Sequence, residues 1–280
     1  MKYYLFAKFF QHLPLEELMA HCVESEVDGP TAVIREGYWL EPDNYAEALP
    51  GFVRAAEKSG LEVRFADTSF PLADLAKDNT PLKVLADNGI TAVRLGYISK
   101  EDAGHVRNLA NLARHLAEET ASAAEKAGIR AVIQLHGNCY PHNATSAYLM
   151  VKGLDPRFIG VMIDPGNNLH QEGHERWDYQ IQLLGEYIAA VGAKDAARFR
   201  TGDPSSATKG WVSEFVPAYE GVANWQQIFE ELARIAFQGP MVLMPFYDTD
   251  DFCTMFEKFR REVRYLKKLE KGRKDDANET

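Results

Sequence analysis

Phe158-Ile-Gly-Val-Met-Ile-Asp-Pro-Gly-Asn167 is an apolar run that ends in a carboxylate, Asp164, and breaks at Pro165-Gly166. An apolar run without alternation suits a strand buried on both faces, as in a parallel sheet covered by helices. A carboxylate at the end of such a strand, followed by a turn, lies where a parallel barrel carries its chemistry. Outward from this stretch, short β-rich runs alternate with longer stretches of helical period, the mark of βα units. Strand candidates fall at residues 3–6, 31–35, 62–66, 92–95, 131–135, 160–164, 188–193 and 241–246. The pattern predicts an α/β fold, a (β/α)8 TIM barrel.

The 280 residues suit one barrel of roughly 250 residues with extensions. Residues 1–270 are expected to form a single TIM-barrel domain. Helices are expected from Pro14 to Ser25, from Asn44 to Ser59, and from about Gly104 to Lys126, with Leu109, Leu112, Ala113 and Leu116 on a core-facing stripe. Asn224 is a good N-cap for the helix before the eighth strand, and Asp251 to Leu269 closes the barrel. The last residues, 271–280, are charged and lack apolar anchors, which predicts a frayed tail.

The sequence is 46% hydrophobic and 26% charged, enough to bury a large core. Its net charge of -10 repels phosphodiester backbones, so nucleic acid is not an expected partner. Three cysteines, Cys22, Cys139 and Cys253, fit neither a disulfide framework nor a metal knuckle, and a reducing cytoplasm is expected. The apolar start is broken by Lys8 and is too short for a signal peptide; no run is long enough to span a membrane.

Inward side chains alternate along barrel strands, which selects few residues near the strand ends. Gln134 and His136 share a face on the fifth strand, Asp164 ends the sixth, Gly192 and Lys194 share a face on the seventh, and Met244 and Phe246 on the eighth. Asp164 is read as a functional carboxylate or as the cap of its turn. Gln134 is a ligand contact or an internal hydrogen-bonding group. His136, beside Gly137, is a substrate-binding or proton-transferring histidine, or a satisfied core residue. Lys194 suits a polar substrate contact better than a Schiff base. Arg94, ending the fourth strand, binds an anionic group or pairs with a neighbouring acid. His142, His170, His174 and Glu175 in nearby loops are solvated groups or parts of a rebuilt metal site with Asp164 and His136. Cys139 lacks an orienting partner for a nucleophile's role. Trp39, Tyr97, Trp177, Trp211 and Tyr247 stack on a sugar or pack the rim.

At these residues the sequence resembles the xylose isomerase-like barrel family of sugar isomerases and epimerases, which also contains the family 2 apurinic endonucleases. The resemblance runs through Asp28-Gly29 to Arg35, Glu41-Pro42, Val93-Arg-Leu-Gly-Tyr97, Asp155-Pro-Arg-Phe-Ile-Gly160, Lys194-Asp195, Tyr219-Glu-Gly-Val-Ala-Asn-Trp225 and Gly239-Pro240. It implies a divalent ion held by Glu, Asp, His and Glu, for which the matching positions here read Gln134, Asp164, Gly192 and Phe246. Three of the four are replaced, so no cofactor is expected; an ion such as Mn, Co, Mg or Zn, if held, would use Asp164, Gln134 and His136. The resemblance implies an isomerase or epimerase of a small polyol, keto sugar or similar polar metabolite, by a variant or metal-independent mechanism with Asp164 and His136 as catalytic groups. Gln134, Lys194 and Arg94 would bind substrate. The alternative is a catalytically silent barrel that binds a ligand or a protein.

Overall fold

Every residue of Ile159–Ile163 and of Ile188–Ala193 is buried, as strands with helices on one side and packed side chains on the other require. The computed structural model describes residues 1–171, 174–247 and 251–276. The parallel strands are β1 (Lys2–Leu5), β2 (Gly29–Pro30), β3 (Ala32–Val33), β4 (Phe65–Asp67), β5 (Ala92–Arg94), β6 (Arg130–Gln134), β7 (Ile159–Ile163), β8 (Ile188–Ala193) and β11 (Pro240–Leu243). They run in the order β2-β1-β11-β8-β7-β6-β5-β4-β3. The second barrel strand is thus split: β2 pairs with β1 and β3 with β4, so the sheet closes into a TIM barrel.

At the mouth the third and eighth strands end elsewhere than expected in a way that moves site side chains. The third strand ends at Asp67, one residue beyond the predicted end at Ala66, and the eighth stops at Leu243, where the Phe246 amide turns back to Met244 O. After β8 the chain forms an antiparallel hairpin, β9 (Asp195–Arg200) and β10 (Trp211–Val216), which the sequence reading lacks.

The helix Val106–Ala127 buries Leu109, Ala113, Leu116 and Ala117 and ends at Gly128 in the left-handed region, φ 71°. The last helix spans Phe252–Asp276, continuing six residues into the segment expected to be a tail; residues 277–280 lie outside the described residues. Among the described residues no helix is long and apolar enough to cross a membrane.

Candidate functional site

Asp164 follows β7 and is wholly buried. Its Oδ1 accepts the Asn167 amide at 2.8 Å, capping the short helix Pro165–His170. Its Oδ2 accepts Gln134 Nε2 at 2.5 Å and lies 3.3 Å from Lys194 Nζ. The cap is the reading seen at Oδ1, while Oδ2 binds two side chains. Gln134 Oε1 accepts the Tyr97 hydroxyl at 2.8 Å. The lysine stem crosses Gly166, where a Cβ would come within 2.5 Å of Lys194 Cγ, so the glycine of the Asp-Pro-Gly turn is fixed by the lysine. Lys194 Nζ sits 4.2 Å from the Phe246 ring centre and 4.7 Å from that of Phe215. Burial pushes the Asp164 carboxyl up and the Lys194 ammonium down, and their mutual attraction opposes both.

A Cβ at Gly192 would lie 3.1 Å from Asp164 Oδ2 and 3.4 Å from Met244 Cε, and Gln134 Nε2 is 3.9 Å from Met244 Sδ. Position 192 therefore faces inward, as its alternation predicts. Met244, rather than Phe246, is the eighth-strand side chain in the layer of Asp164 and Gln134. Phe246 instead joins an aromatic group with Phe6, Phe9 and Phe215 above the lysine.

Asp67 ends β4 and carries a second network. Arg94 donates to it from Nε at 3.0 Å and Nη2 at 2.6 Å, and Arg35 from Nη2 at 3.2 Å. Arg94 Nη1 donates to Leu95 O. Of the two readings of Arg94, the ion pair is the one seen: its fork is filled by protein groups. Lys8, just beyond β1, lies 5.2 Å from the Phe246 ring centre.

His136 is half-buried, and burial, then Lys194 and Arg94, lower its pKa to about 4, so the ring is neutral near pH 7. Gln171 Oε1 accepts the Gly137 amide at 2.7 Å, which turns its Nε2 toward His136 Nε2 at 3.1 Å. This network assigns the proton to Nδ1, a buried atom without a partner among the described residues. Gly137 admits Gln171 rather than a ligand: a Cβ there would stand 2.3 Å from Gln171 Cβ.

A cavity of about 190 Å³ is lined by Lys8, Arg35, Arg94, Gln134, His136 and Lys194, with Tyr97, Gln171, Asn167, Met244 and phenylalanine rings completing the wall. Gln134, His136, Arg94 and Lys194 are thus brought together, while Asp164 stands behind Gln134 and Lys194. The loop groups lie outside this lining, His142 beside Tyr140. His170 meets Ser213 and Phe215, His174 packs on Trp177, and Glu175 accepts from Ala144 and Thr145. Among the described residues no group of three or more His, Cys, Asp or Glu could hold a metal ion. Burial raises the Cys139 thiol pKa, against a nucleophile's needs. Of the rim aromatics only Tyr97 lines the cavity; Trp211 is exposed on β10. Sequence reasoning missed Lys8, Asp67, Gln171 and Phe215, and quoted Arg35 without a role. Asp67 obeys the strand-end rule that selects Asp164 and was open to discovery by it.

No curated protein matches the chain significantly. Solved structures do. D-psicose 3-epimerase of Clostridium cellulolyticum H10, with D-tagatose, superposes with a TM-score of 0.73 at 13% identity, covering 96% of this chain and 99% of that one. A xylose isomerase-like TIM barrel protein of Mycobacterium smegmatis, in complex with magnesium, gives 0.69 at 15%, covering 96% and 97%. The probable 3-DHS dehydratase of Bacillus anthracis gives 0.70 at 14%, covering 95% and 99%. These likenesses carry the fold; the family rests on the profile of the xylose isomerase-like TIM barrels, which matches residues 42–269. The chain belongs to the xylose isomerase-like TIM barrel family.

Proposed function

We propose that the protein is an isomerase or epimerase of a small polyol or keto sugar that works without a divalent ion, the Lys194 ammonium taking the ion's place. The observation that carries this reading is Lys194 Nζ, 3.3 Å from Asp164 Oδ2 and set against two aromatic rings. A hard divalent ion takes several oxygen ligands. Here Gln134 turns its N–H to Asp164, position 192 has no side chain, and Met244 and Phe246 offer a thioether and a ring. These donors do not fit such an ion, and an ammonium on the same carboxylate oxygen repels one.

What an ion supplies in sugar isomerisation is positive charge beside substrate oxygens. Lys194 supplies such charge at the cavity wall, stabilising a substrate oxygen that turns negative as solvent water takes the proton of the neighbouring carbon and later returns one to it. His136 is held as a neutral donor: Nε2 stays tied to Gln171 and Nδ1 carries the free N–H. Family membership supports the reaction class. One observation favours a second reading, a barrel that binds without turnover: no carboxylate lines the cavity among the described residues.

Solvent exchange separates the two. The protein, stripped with chelator, is incubated in D2O with D-psicose, D-fructose, D-tagatose and inosose-like polyols, and carbon-bound deuterium is followed by NMR. Exchange that persists in chelator and falls about tenfold or more in Lys194→Met supports the enzyme. Exchange seen only after a metal is restored overturns the ion-free reading, and no exchange across the panel leaves the binding barrel.

A further inference from the structure

Among the described residues the cavity holds more cations than acids: Lys8, Arg35, Arg94 and Lys194 line it, and the carboxylates that answer them there are Asp67 and Asp164, an excess of two positive charges. Lys194 is answered by Asp164, and Arg94 holds Asp67 through two nitrogens. The surplus falls on Lys8 and Arg35. Lys8 Nζ touches only the rings of Phe9 and Phe246 among the contacts of the described residues. Arg35 gives Nη2 to Asp67 and keeps a buried Nε with no partner among the described residues.

Surplus charge of this kind runs against the chain as a whole, whose net charge is -10. A half-buried cation without an anion costs free energy, which a bound anion offsets. Burial pushes the Lys8 ammonium down, and Arg35, Arg94 and Lys194 add to this while Asp67 opposes it. A guanidinium edge fits carboxylate and phosphate oxygens, and a lysine adds a point charge.

We propose that Lys8 and Arg35 form an oxyanion subsite, so that the substrate of the reaction inferred above is a small sugar acid or sugar phosphate and not a neutral sugar. This rests on the enzyme reading for the word substrate, but not for the binding. The cavity volume of about 190 Å³ is below that of drug-sized sites, which suits a metabolite of few carbons.

The test is calorimetric titration of the full chain with inorganic phosphate and with glycerate at low salt, repeated on Lys8→Met and Arg35→Met. One or both anions should bind, and each replacement should weaken binding about tenfold or more, while Lys8→Arg restores it. Tighter glycerate points to a sugar acid, tighter phosphate to a phosphate ester. The two variants lie on different segments, so one that fails to fold leaves the other decisive. Absence of binding by the parent, or equal binding by the folded variants, overturns the subsite. Anion binding that depends on Lys8 without any deuterium exchange upholds the subsite and sinks the enzyme. Exchange on neutral keto sugars that ignores both phosphate and Lys8→Met does the reverse.

Discussion

Lys194 is 3% exposed, yet its ammonium is matched by a carboxylate and faced by two rings. Removing one partner of a buried pair leaves the other uncompensated. Lys194→Met should therefore lower unfolding free energy by about 3–5 kcal/mol, and Lys194→Met with Asp164→Asn by clearly less. Urea unfolding of both variants checks this, and a single variant as stable as the parent would mean the pair is not formed. At this scale the strand-end rule located Gln134, His136, Arg94 and Lys194 because alternation fixes their direction. It lost Asp67 because the third strand was read as ending at Ala66. Lys8 lies in the 3-10 turn Ala7–Phe10 and Gln171 in a loop, where no period marks which way a side chain points.

Among elements, the closing helix Phe252–Asp276 buries Glu262. Glu262 Oε1 accepts the Ala218 amide at 2.7 Å, and burial pushes its carboxyl up to about 8, with Asp195 adding to the rise. Its folded pKa lies above the ordinary 4.5, so in that window the folded state keeps a proton that the unfolded state has lost. The stability it contributes is complete below the ordinary value and is lost as pH rises toward 8, at about 1.4 kcal/mol per pH unit. Asp195, raised to about 6, adds its own slope only below that pH. Between pH 6.5 and 8 the Glu262→Gln variant should therefore lose most of this slope in unfolding free energy. A slope equal to the parent's would mean Glu262 is already ionised in the fold. The barrel strands were legible because burial on both faces writes continuous apolar runs. The β9–β10 hairpin was not, since β9 is buried along its first half and exposed along its second, which leaves no period of two.

Over the whole molecule, an acidic chain encloses a cationic mouth. Length and eightfold alternation made the barrel readable, but the cavity's charge comes from segments far apart in sequence. Lys8, Arg35, Arg94 and Lys194 meet only through barrel closure, which pairs β1 with β2 and β11. The proposed replacement of a metal ion by the Lys194 ammonium is best probed with a crystal of the parent protein soaked in Mn²⁺, with anomalous differences measured above the manganese edge. No peak is expected within coordinating distance of Asp164 Oδ2, with the Lys194 ammonium still beside that oxygen. A manganese peak on Asp164, with the lysine swung away, would contradict it.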